Sequence, residues 1–269
     1  MTIHKENNNK NFIIDDSEIF QNKNTLVHFV NRREVELLNH LDASLSKAIK
    51  NESKLPESIS KQMRTDAPEE EQLMGFSGMS FRHLMNNLGS LPGANYLEVG
   101  TFRGSTLVPT VYKNEDNLNE IHAIDNFSEF RVEGFSPKED LEKNLNLFLP
   151  DTSHRIQFHE EDCWKFDLSK LPKIDIYFYD GEHSAESQHK AFKYFEPVFA
   201  DVFIAVIDDW EQNQVRVGTR QAFEEINYDI IGSRAVVPAM RENNANRVNN
   251  PDYYWWCGTH LAVLKKRGT

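Results

Sequence analysis

The stretch YLEVGTFRGST, Tyr96 to Thr106, decides how the rest of the chain is read. Tyr96 to Val99 is a short apolar run with aromatic and β-branched residues, which predicts a buried strand. Gly100 and Gly104 follow, and Ser105 and Thr106 open a predicted helix. Glycines at such a turn let the backbone pass close to a ligand, and a helix start presents free N–H groups. The acidic Glu98 sits inside the strand. The spacing G-x-x-x-G departs from the G-x-G-x-x-G of a dinucleotide loop, which argues against a nicotinamide cofactor.

Downstream of this loop the chain alternates strand and helix. IHAID (121–125), RIQFHEE (155–161), IDIYFYD (174–180), VFIAVID (202–208) and HLAVLKK (260–266) read as strands. The third and fourth of these are almost continuously apolar, as strands buried on both faces should be. Lys138 to Leu149, Ser184 to Phe195 and Val217 to Ile226 read as helices, and Pro197 stops the second. This alternation predicts an α/β fold, a mostly parallel sheet doubly wound with helices on both faces. Ligands in such folds sit at the carboxyl ends of the strands.

Upstream, residues 1–24 are polar and Asn-rich and read as a mobile arm. Asn31 and Glu34 have the spacing of a capping box, and Leu38, Leu41, Leu45 and Ile49 form a helical stripe after it. Residues 51–71, with Pro56 and Pro68, read as a linker with one short helix. Phe81, Leu84, Met85 and Leu88 make a second stripe, ended by Gly89 and Pro92. We therefore divide the chain into an arm and helical cap (1–90) and an α/β domain (91–269).

Composition narrows the function classes. A chain of 269 residues with 39% hydrophobic content and 18 Phe can build a sizeable core. Its net charge of −12 argues against a nucleic-acid partner, which needs Lys and Arg clustered on one face. No apolar run approaches the roughly 18 residues that span a bilayer, so no membrane partner is expected. Cys163 and Cys257 match no metal or redox spacing and suit a reducing, cytoplasmic setting. The start, MTIHKENNNKN, lacks a signal-peptide core.

The strand ends carry the chemistry. Asp125 ends a strand shortly after the glycine loop, where a carboxylate suits the two hydroxyls of a ribose. YFYDGEH (177–183) and VIDDW (206–210) close the two most apolar strands. If these strands are neighbours, about 4.8 Å apart, Asp180 and Asp208 converge, with Asp209 and Glu182 close by. Carboxylates so near one another need a proton or a cation between them. Oxygen ligands alone select a hard divalent ion, Mg²⁺ first among them.

Together these motifs, Glu98-Val-Gly100 to Gly104, Asp125, Asp180-Gly-Glu-His183 and Asp208-Asp209-Trp210, resemble a class I S-adenosylmethionine (SAM) O-methyltransferase. The resemblance covers about residues 75–265 and is nearest to the metal-dependent macrocin O-methyltransferase and cephalosporin-hydroxylase-like group. It implies a seven-stranded Rossmann-like sheet and methyl transfer from SAM to a hydroxyl of a small molecule, sugar or natural product. It implies SAM binding by Glu98, Gly100, Gly104, Asp125 and Asp162, with Cys163 and Trp164 flanking the adenine. It implies metal binding by Asp180, Asp208 and Asp209. His183 stands where catechol-type enzymes carry a Lys, which argues against a catechol and makes His183 the expected base. The aromatic residues of 126–137 and 238–256 (Phe127, Phe130, Phe135, Tyr253, Tyr254, Trp255, Trp256) read equally as an acceptor wall or a homo-oligomer contact. A metal-independent methyltransferase and a non-catalytic SAM-binding protein are the alternatives.

Overall fold

The computed structural model describes residues 12–14, 32–61, 72–128, 136–237, 255 and 257–269. The chain runs through β1 (Phe12–Ile14), α1 (Arg32–Ile49), α2 (Glu57–Ser60), α3 (Met79–Leu88), β2 (Ala94–Val99), α4 (Leu107–Val111), β3 (Leu118–Ile124) and α5 (Pro137–Phe148). It continues through β4 (Ile156–His159), β5 (Ile174–Tyr179), α6 (Ala185–Phe195), β6 (Phe199–Ile207), α7 (Asn213–Glu225), β7 (Tyr228–Val237) and β8 (Thr259–Lys266).

The strands form one sheet in the order β1-β7-β8-β6-β5-β2-β3-β4. Strands β2 to β6 pair in parallel. β8 runs antiparallel between β6 and β7. The expected seven-stranded, mostly parallel, doubly wound sheet is therefore present, and β1 adds an antiparallel edge on β7. This corrects the reading of residues 1–24 as a mobile arm throughout: Phe12–Ile14 are apolar and pair with Ala235–Val237.

Side-chain alternation sorts the core into two layers. Ile176, Phe178, Ile204 and Val206 face one way, into a cluster with Leu37, Leu41 and Leu45 of α1 and Phe81, Leu84 and Leu88 of α3. Tyr177, Tyr179, Phe203, Ala205 and Ile207 face the other way, against Phe192 and Phe195 of α6 and Phe223 of α7. The two helical stripes upstream of residue 90 thus cover one face of the sheet. Asn31 lies outside the described residues. Its supposed capping partner Glu34 is buried and pairs instead with Lys265 of β8, Nζ to Oε1 2.7 Å. The short helix anticipated in the linker is α2.

β7 is the strand that pattern reading passed over. Asp229, Ser233 and Arg234 interrupt its apolar residues, and its register with β8 shifts between Ile230 and Gly232. A bulge of this kind breaks the period of two on which recognition depends.

Candidate active site

The turn after β2 is shaped by two close approaches. Gly100 has φ +92°, and a Cβ there would lie 2.1 Å from the carbonyl oxygen of Asp180. Gly104 has φ +75°, and its Cβ would lie 2.6 Å from Leu141 Cδ1. Both positions favour glycine by their backbone conformation, and Gly100 also needs it for space, because its neighbour is backbone. α4 begins only at Leu107 and has five residues, so the expected helix N-terminus gives way to an extended turn.

Glu98 lies behind this turn. It is fully buried, accepting from Tyr96 Oη (2.5 Å) and Thr106 Oγ1 (2.8 Å). Burial pushes its carboxyl up to about 8, against these two bonds, so it is largely protonated at neutral pH. Glu98 and Gly104 are absent from the lining of the cavity described next.

A cavity of about 630 Å³ opens at the carboxyl ends of the parallel strands. Gly100, Asp125 and Asp162 line it, as do Asp180, His183, Asp208 and Asp209. Asp125 accepts from the backbone N–H groups of Phe102 (2.6 Å) and Phe127 (2.7 Å). Both phenylalanines have positive φ, +48° and +51°. Such backbone costs about 1–3 kcal/mol per residue, and here each instance serves to aim an N–H at one carboxylate. A carboxylate has about four acceptor positions, so Asp125 keeps capacity towards the cavity. Asp162 accepts from Trp164 N (3.0 Å) and pairs with Lys165 (3.1 Å), which together hold its pKa below the usual range. Cys163 and Trp164 line the same end.

At the other end, β5 and β6 are parallel neighbours with Tyr179 opposite Ile207, so Asp180 and Asp208 leave adjacent strand ends. Asp209 adopts φ +52°, which turns it out of the strand path. Ligand atoms of Asp180, His183 and Asp209 lie within 4.8 Å of one another. His183 Nε2 is 2.9 Å from Asp209 Oδ2 and 3.6 Å from Asp180 Oδ1. Asp208 stands outside this group. It is buried, and its Oδ1 has no hydrogen-bond partner.

The charges are strongly coupled. Burial pushes Asp180 up to about 6, opposed by its bond to His183. Burial, then the charges of Asp180 and Asp209, push Asp208 well above the carboxylate range. Burial pulls His183 down, but the bonds and charges of Asp180 and Asp209 outweigh it and raise the imidazole to about 10. Burial pulls Asp209 up, and its contacts with His183, Cys257 and Gln212 overcome that and hold it low. An imidazolium thus occupies the space between two carboxylates. The Gln212 amide nitrogen lies 3.2 Å from His183 Nδ1 and also contacts Asp209.

Three participants had no local sequence signal. Phe76, from the segment before α3, lines the cavity and stacks on Phe102 at 5.5 Å. Gln212 and Cys257 reach the cluster from the turn after β6 and the start of β8. Of the aromatic candidates for an acceptor wall, Phe127 lines the cavity and Trp255 is buried in the core. Phe130, Phe135, Tyr253, Tyr254 and Trp256 lie outside the described residues.

Residues 97–210 match a family described as a methyltransferase domain. No curated protein matches the chain in sequence. Among solved structures, precorrin-6y C5,15-methyltransferase from Geobacter metallireducens GS-15 is similar over 80% of this chain and 100% of its own, at 11% identity and TM-score 0.50. An O-methyltransferase from Bacillus cereus, in complex with SAH, is similar over 93% and 95%, at 14% identity and TM-score 0.45. TrmN from Thermus thermophilus is similar over 70% of this chain at 12% identity and TM-score 0.45, and the chain spans about half of it, 48%. At 11% identity and TM-score 0.50 the first of these speaks for the fold alone and leaves function to the site. The matched stretch begins on β2 and ends just past the second acidic strand end.

Proposed function

We propose that the chain transfers a methyl group from SAM to a hydroxyl of a small molecule, assisted by a divalent cation. One observation carries the reading: a single cavity is lined both by the glycine turn with Asp125 and Asp162 and by the Asp180, His183 and Asp209 cluster. Its volume is in the range of small-molecule sites. In this reading Gly100 lets the cofactor lie against the turn, Asp125 takes the ribose hydroxyls, and Asp162 faces the adenine. Glu98 and Gly104 serve the cofactor from behind, by holding the turn's shape.

The residues present fit a cation. Asp180 and Asp209 offer carboxylate oxygens at one point, and Asp208, whose Oδ1 has no hydrogen-bond partner, is a residue of the same cavity. A cation bound there would polarise an acceptor hydroxyl and, as a positive neighbour, lower the pKa of His183. His183 then takes the acceptor's proton, with Asp209 holding the ring and Gln212 at Nδ1. Oxygen ligands from the three aspartates favour Mg²⁺. If His183 itself ligates, Mn²⁺ or another imidazole-tolerant ion is favoured and the base must be found elsewhere.

A metal-independent reading has one observation in its favour: the His183–Asp209 ion pair already neutralises part of the cluster. Methyl transfer assayed over a panel of sugars and phenols, with chelator and with Mg²⁺ or Mn²⁺ restored, separates the two. Turnover that survives chelation supports the metal-independent enzyme. Absence of SAM binding removes both.

A further inference from the structure

The described residues that line the cavity include seven carboxylates, Asp125, Glu161, Asp162, Asp180, Glu182, Asp208 and Asp209, and no Lys or Arg. Two lysines stand behind one wall. Lys165 is committed to Asp162, and Lys190 lies over the Trp164 ring at 4.3 Å. An independent observation points the same way. Asp208 is 5% exposed, lines the cavity, and presents an oxygen with no partner in the protein. A bound dication and a sulfonium together carry three positive charges, fewer than the carboxylates among the described lining residues. Among the described lining residues acidic groups thus outnumber those cations, in a space with low-dielectric walls that focus the field.

We propose that this cavity rejects anionic ligands and that the acceptor is a neutral polyol or an amine-bearing hydroxyl compound without phosphate or carboxylate. The phosphate and carboxylate groups that enzymes usually grip with Arg and Lys find no such partner among the described lining residues. Like charges brought together at such a site repel strongly enough to decide among otherwise similar hydroxyl compounds. The term acceptor rests on the methyl-transfer reading. The charge selectivity of the cavity does not, so each can fail alone.

Cys163 gives a direct probe, because its thiol lines the cavity. Burial and the Asp162 charge push that thiol up to about 12, which slows every thiol reagent alike and cancels in a ratio of rates. The protein is treated with three methanethiosulfonates that differ in charge: aminoethyl, methyl and sulfonatoethyl. Modification of Cys163 is followed by peptide mass. The urea-unfolded chain gives the reference ratio. We expect the cation-to-anion rate ratio at Cys163 to exceed the reference at least about tenfold at low salt, and to collapse towards it near 1 M salt, where the screening length is about 3 Å. If Cys163 is closed to reagents, Ser128→Cys supplies an exposed thiol on the same cavity and carries the same expectation. A ratio within about twofold of the unfolded chain at low salt, at whichever thiol reacts, overturns the proposal.

Discussion

A Cβ on Gly100 would lie 2.1 Å from the carbonyl oxygen of Asp180, so the glycine turn and the acidic cluster touch through backbone. A side chain at residue 100 therefore disturbs both halves of the site at once. Gly100→Val should abolish SAM binding and also displace Asp180. The clash and the positive φ together should cost at least about 2 kcal/mol of stability. Calorimetry with SAM and a thermal melt check the two effects. A variant that binds normally would mean that the turn yields without moving the cavity wall.

Glu98 gives a pH dependence with a definite sign. Its folded pKa, about 8, lies above the ordinary 4.5. The folded state therefore holds a proton that the unfolded state has released, and stability falls as pH rises between those values. The contribution is fully present below about pH 4.5 and lost as pH passes through about 8. Its upper limit is on the order of 5 kcal/mol. Glu98→Gln should flatten this part of the profile. Urea midpoints of both proteins from pH 5 to 9 check it, and parallel profiles would contradict it.

His183 should set the pH dependence of turnover. With Asp209 and Asp180 beside it the imidazole titrates at about 10, so little base is present at neutral pH. Activity should rise with pH, and the midpoint should move down when Mg²⁺ or Mn²⁺ is added. His183→Ala should lower turnover about a hundredfold or more while leaving SAM affinity nearly unchanged. A metal-insensitive midpoint argues against a cation at this cluster.

The acidic cluster should show itself through chelation. Asp180→Ala should mimic excess chelator without unfolding the chain, because it removes one of several clustered carboxylates, whereas Asp209→Ala should abolish cation binding and also lower the melting temperature, because it leaves the His183 imidazolium without its nearest partner. Asp208→Asn keeps the fold and replaces the orphaned oxygen with an amide, which should weaken cation binding. Calorimetric titration with Mn²⁺ separates these effects from loss of structure.

Most of the sheet was legible because the decisive strands are buried on both faces and their ends carry acids. Ile174–Tyr179 and Phe199–Ile207 announce themselves by composition alone. β7 did not, since a bulge and three polar residues hide its period. β1 was hidden in an Asn-rich arm, where three apolar residues acquire meaning only by pairing with Ala235–Val237. At the site, strand ends placed Asp125, Asp180 and Asp209 on one cavity. The sequence could not show that Asp209 turns left-handed while Asp208 stays buried, because that depends on the start of β8, where Cys257 O and Gly258 O receive the N–H groups of Glu211 and Trp210. Phe76 was equally hidden, since its place on Phe102 is a long-range packing result.

SAM binding by the wild-type chain tests the central claim most directly. Calorimetric titration at neutral pH should show one site in the micromolar range, about −8 kcal/mol. Asp125→Ala should weaken it at least about tenfold. Heats indistinguishable from dilution at millimolar SAM would contradict the account at its root.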